Sequence, residues 1–221
     1  MVMSKITDEK FVTSYMVVLA FFNDLSAFQT IFYVDLSIVF LKSITRALRN
    51  YDAEKDSCEK SSDVKFIKSM RKLHLCIWKS ADKINEYFGL FLLGYIVQQF
   101  LVISYDIYWI FLNKFNVGIW LGLDNAFVLM SDLLSFFFLS NSCDKLCYEV
   151  QKIGTLLYER DDCLPLSESQ QFVSQMLNQP IRIGAKGFYK IDRSFFAALT
   201  VGSMTSAIML VQFQTEIKLI N

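Results

Sequence analysis

Proline is nearly absent, at 2 residues in 221, so long stretches carry nothing that would interrupt a helix. Histidine occurs once, as His74, which leaves a zinc site or a histidine relay without its usual partners. Net charge is absent as well: 22 Lys and Arg balance 22 Asp and Glu. That balance offers nothing to a polyanion, and no nucleic-acid partner is expected. P-loop, dinucleotide and nucleophile-elbow patterns are missing. Asp124 and Asp132 lie about two helical turns apart, but no second histidine or metal motif accompanies them. The expectation is therefore no enzyme, no metal site and no cofactor. Met1 to Lys10 also lacks the basic start, short apolar run and small-residue cleavage site of a signal peptide.

What is present is mostly apolar. Hydrophobic residues make up 53% of the chain, 21 of them Phe, and they gather in long blocks where a soluble bundle would scatter them at helical spacing. Four blocks, at about 11–41, 87–112, 117–139 and 194–213, reach the roughly 20 residues a helix needs to cross a bilayer. The first holds Asn23, Asp24 and Asp35, the second Gln98, Gln99 and Asp106, the third Asp124 and Asp132. Such groups are costly in lipid and usually face a protein interior or water. The fourth block has no charge and one strongly polar side chain, Gln212. These blocks predict an all-α polytopic membrane bundle, a single membrane domain over 1–221 with the lipid bilayer as its solvent.

Basic residues orient the spans. Eleven Lys and Arg lie from Lys42 to Lys83, one between the second and third spans, and seven from Lys145 to Arg193. Only Lys5 and Lys10 precede the first span, and only Lys218 follows the last. The alternation places segments of about 42–86 and 140–193 in the cytosol and the C-terminus outside. All five cysteines (Cys58, Cys76, Cys143, Cys147 and Cys163) fall in those segments, where thiols stay reduced. An outside N-terminus without a signal leads to the expectation that an upstream part is missing.

The cytosolic segments also read as helical. Val64, Ile67, Met70, Leu73, Leu75, Ile77, Trp78, Ile84 and Phe88 recur largely at three- and four-residue spacing, with Lys65, Lys68, Arg71 and Lys72 between them. No Gly or Pro intervenes before Gly89, so one helix is expected to run on into the second span. The third span is expected to continue through Leu146, Val150, Ile153 and Leu157. Asp161 to Pro165 breaks that pattern, Ser167 and Glu168 start another helix, and Gln170 to Ile183 reads as a polar helix bent at Pro180.

Near the C-terminus, Thr205-Ser206 is followed by five apolar residues and then Gln212-Phe213. This resembles the signature of insect gustatory receptors, relatives of the insect odorant receptors, with Ser206 where that family has tyrosine. Gly187-Phe188-Tyr189-Lys190-Ile191-Asp192 resembles the family's lead-in to its last helix, and Ile84-Asn85-Glu86-Tyr87-Phe88-Gly89 the start of its fifth. The resemblance covers most of the chain as helices four to seven. It implies a taste chemoreceptor subunit in the plasma membrane: a ligand-gated cation channel assembled as a homo- or heterotetramer, with the last helix lining the pore. Thr205, Ser206, Val211, Gln212 and Phe213 are then pore or gate candidates, and Gln212-Phe213 also suits a plain interfacial helix end. A small-molecule tastant would meet Tyr105, Trp109, Trp120 and Asp124, although Tyr and Trp there equally suit an aromatic belt. A non-channel scaffold or modifier subunit is the alternative.

Overall fold

The computed structural model describes residues 2–50, 60–113, 119–159 and 166–220. Its elements are α1 (Val2–Asn50), α2 (Lys60–Asn113), α3 (Ile119–Glu159), α4 (Leu166–Asn178), β1 (Gly184–Ala185), β2 (Tyr189–Lys190) and α5 (Arg193–Ile220). The all-α expectation holds, with one short hairpin added. α1, α2, α3 and α5 each contain a stretch long and apolar enough to cross a membrane. Cys58, Cys163, Pro165 and the 161–165 helix break lie outside the described residues.

The helices divide between two compact units: one comprises 1–29, 90–140 and 191–221, the other 30–89 and 141–190. In the second unit, Val34, Ile38, Leu41, Ile44 and Leu48 bury one stripe of α1 at three- and four-residue spacing. On α2, Ile67, Ile77 and Ile84 are buried as the periodicity predicts. His74 and Ala81 share that burial, and the apolar pattern does not reveal either. His74 stacks edge-on to Phe172 of α4, with ring centroids 5.7 Å apart. Burial holds its imidazole down to about 4, because desolvation penalises the charged form. Around this contact, Arg71 donates to Gln171 at 2.6 Å, and Glu168 pairs with Lys68 at 3.3 Å.

α4 ends at Asn178, so the helix predicted to continue bent through Pro180 to Ile183 does not form. Proline lacks the N–H a helix needs and pushes the residue before it toward extended backbone. The chain beyond runs irregularly, with Ile181 and Ile183 buried.

In the first unit, Tyr95 and Phe136 are fully buried and in contact, with centroids 6.2 Å apart. Phe136 also meets Phe195 and Phe196 of α5, so the phenylalanine-rich run of α3 packs on the start of the last helix. Asp192 caps that helix: its carboxylate accepts the Phe195 backbone N–H at 2.8 Å. The cap satisfies a donor that the first turn would otherwise leave open.

Candidate functional site: the last helix and its anchor

α5 has two different faces. Leu199, Ser203 and Ala207 are buried at intervals of four, which makes one stripe along the helix. The stripe lies on α2: Ser203 donates to the Phe100 carbonyl at 3.4 Å, and a Cβ added at Gly202 would sit 3.7 Å from the Phe100 ring. Farther along, the Tyr108 hydroxyl donates to the Gln214 side-chain oxygen at 3.1 Å. Small residues at these positions let the two helices approach closely. The other face is open. Val201, Met204, Ile208, Met209 and Phe213 are all exposed, and the helix carries no charge from 194 to 213. Only 17% of the most apolar window of α5 is buried within the chain, against 39% for α1 and α2 and 28% for α3. Among the described residues, the last helix is the span this chain covers least.

Of the pore candidates, Thr205, Gln212 and Phe213 are exposed on that helix, while Ser206 and Val211 are half-buried. The Thr205 hydroxyl donates to the Val201 carbonyl at 2.9 Å, as Thr200 and Thr215 do to carbonyls one turn back. Their polar groups are thus satisfied within the helix, as an apolar environment requires. Of the ligand candidates, the structure brings together Tyr105 and Trp109, whose rings meet edge to face at 6.0 Å and are exposed. Trp120 and Asp124 lie on α3, with side chains outside the described residues. Neither Tyr105 nor Trp109 lines the open groove of about 480 Å³ in the other unit, whose walls include Tyr33, Phe40, Lys79, Lys83 and Phe88.

The two motifs that precede the last helix in the sequence meet in space. Asn85 of α2 donates to the Arg182 carbonyl at 2.8 Å and accepts the Gly184 N–H at 3.0 Å. One amide side chain therefore clamps the strand that opens the hairpin. Gly184 pairs with Lys190 and Ala185 with Tyr189. The turn closes with Phe188 N–H on the Ala185 carbonyl at 2.9 Å. Lys186 and Gly187 both have positive φ, 53° and 81°, as a type I′ turn requires, and glycine adopts that region without strain. Gly89 gives the turn room, since a Cβ there would come within 3.0 Å of the Lys186 nitrogen. In short, Asn85 clamps, Gly89 yields space, Gly187 turns and Asp192 caps. These residues are visible in the sequence as motifs, but the pairing of the two motifs is not.

The model of the 7tm chemosensory receptor family matches residues 6–217. The chain belongs to the 7tm chemosensory receptor family. The family is one of multi-pass membrane receptors, so the reading of the chain as no enzyme stands on that membership. Among curated proteins it is similar to a Drosophila melanogaster protein named gustatory receptor 2a, 23% identical over an alignment of 180 residues that covers 66% of this chain and 40% of that protein. Among solved structures it is similar to the insect olfactory receptor OR5 of Machilis hrabei, with a TM-score of 0.65 at 15% identity. That match covers 84% of this chain and 48% of the receptor, and it shows the fold. The chain thus spans less than half the length of either relative.

Proposed function

We propose that this chemosensory receptor chain is a taste receptor subunit of a ligand-gated cation channel, with α5 lining the pore. The observation that carries the reading is the uncharged open face of the last helix, the least covered of the four candidate spans. In a tetramer, homo- or heteromeric, four such faces would surround an axis. A ring of four Phe213 or Val211 side chains would close the pore by excluding water, and Gln212 amides would replace part of an ion's hydration shell. Thr205 and Ser206 lie one to two turns before that ring on the same helix. Serine in place of tyrosine leaves less bulk against the neighbouring helix, which bears on how firmly the closed state is held.

A small-molecule tastant entering from the extracellular side would meet the Tyr105–Trp109 pair, with Trp120 and Asp124 of α3 as further contacts. Apolar faces with a few polar groups suit sugars and apolar bitter compounds alike. Opening would follow if the ligand favours the open arrangement by more than the closed state's own advantage. The proposed setting is the plasma membrane, with segments of about 42–86 and 140–193 in the cytosol and the C-terminus outside.

The test is current recording from cells expressing the chain, alone and with a longer member of the family. Phe213→Ala and Gln212→Ala are expected to raise resting leak or change conductance severalfold. Wild-type currents from both variants would remove α5 from the pore. Altered partner currents with none from the chain alone would mark a modifier subunit.

A further inference from the structure

Four polar side chains from three helices converge inside the apolar part of the first unit. Asp24 comes from α1, Tyr95 and Gln99 from α2, and Asp132 from α3. Gln99 hydrogen-bonds to Asp132. Asp24 and Asp132 both act electrostatically on the Tyr95 hydroxyl, and Asp24 acts on Asp132 in turn. Tyr95 and Gln99 are each only 1% exposed. Among the described residues, the Tyr95 hydroxyl and the Gln99 side-chain oxygen find no hydrogen-bond partner. Two buried oxygens therefore stand open beside two carboxylates, and a third carboxylate, Asp106 of α2, interacts with Asp132 and has its own Oδ2 unpartnered among the described residues.

Nothing in the spans supplies a compensating charge. Residues 11–41, 87–112, 117–139 and 194–213 contain no Lys, Arg or His. Carboxylates at membrane depth are costly and normally meet a positive partner or water. A buried oxygen without a donor carries a further cost. A single proton on Asp132 would reduce the charge but leave the remaining lone pairs unfilled. A water molecule would fill lone pairs but leave the charge. A small cation does both, since it binds several oxygens at once and neutralises a carboxylate.

The donor set limits which cation fits. Calcium takes six to eight oxygens and magnesium keeps several waters in a near-ideal octahedron, more ligands than these four side chains supply. No group of three His, Cys, Asp or Glu side chains among the described residues comes close enough to hold such a metal. Two carboxylates with an amide oxygen and a phenol oxygen suit a monovalent ion. We propose that Asp24, Tyr95, Gln99 and Asp132 form a sodium site that ties α1, α2 and α3 together within the membrane. The site shares no residue with the open face of α5 or with the Tyr105–Trp109 pair.

The test is thermal unfolding of the purified chain in lipid nanodiscs, in sodium chloride or N-methylglucamine chloride at equal ionic strength. An ion bound only by the folded state raises its stability by mass action, and a rise in midpoint of about 2–4 °C in sodium is expected. Asp132→Asn is expected to abolish that rise. Tyr95→Phe keeps the ring against Phe136 and removes only the oxygen, so it covers the case in which Asp132→Asn fails to fold, and it is expected to shrink the rise. A wild-type midpoint indifferent to sodium would overturn the proposal. So would an equal rise in Tyr95→Phe, which would be a general salt effect. Stabilisation by acid alone with no response to sodium would assign the neutralising charge to protons, and would also overturn it.

Discussion

Single residues set the local geometry of the anchor. Asn85 serves an acceptor and a donor of the same strand. Asn85→Ala is expected to cost about 1–3 kcal/mol, the penalty for stranding such groups, seen as a lower midpoint in detergent. Gly187→Ala is expected to destabilise by about 1 kcal/mol or more, because its φ of 81° disfavours any side chain. His74 gives a pH signature. Its folded pKa of about 4 lies below the ordinary 6.5, so the unfolded chain takes up the proton first. Stability is then full above about pH 6.5 and falls as pH drops toward 4. His74→Gln should flatten that part of a midpoint-against-pH curve; an unchanged slope would mean other groups carry it. Of these residues, Asn85 and Gly187 stand out in the sequence as motif members. His74 does not stand out as core, since a histidine between basic residues has the look of a solvated face.

Elements are more legible than residues. The unbroken periodicity through Gly89 announces that α2 continues from its polar start into its apolar run, and α3 is equally clear past Ser140. The end of α4 is not, because Met176 and Leu177 keep a helical spacing up to the proline, and only the lost N–H at Pro180 decides the matter. The hairpin is invisible for a different reason: two-residue strands carry no periodicity, and their pairing depends on Asn85, far away in the chain. On α5 the stripe predicts opposite outcomes on opposite faces. Ala207→Leu would push against α2 from a fully buried position and is expected to cost about 1–3 kcal/mol, as overpacking does. Met209→Leu on the open face should leave the chain monodisperse on size exclusion. Equal loss from both would mean that the two faces are equally packed.

At the scale of the whole molecule, the four spans and the family are readable from hydropathy and a few spaced motifs. The Asp24–Gln99–Asp132 cluster is not, because it joins residues from three helices, and each looks like an isolated polar group in its own span. The basic-residue count makes one further prediction about the whole chain. Cys76 is exposed, and every cysteine lies in a segment assigned to the cytosol. A membrane-impermeant maleimide should leave intact cells unlabelled and label them after permeabilisation, while an antibody reaches a C-terminal tag without it. Labelling of intact cells would reverse the orientation.

The Asn85 clamp also has a consequence in time. Its two partners lie 97 and 99 residues downstream. At synthesis rates of about 5–20 residues per second, the side chain waits about 5–20 s for the strand it will hold. In the proposed orientation, the apolar run of α2 must cross the membrane outward and α3 must cross it back during that wait. The clamp therefore closes late, just before the last helix leaves the ribosome, and it reports that the preceding crossings came out in the right order. A chain whose third helix entered the membrane backwards would present no strand to Asn85, and quality control would meet an open groove on α2 in place of a finished anchor.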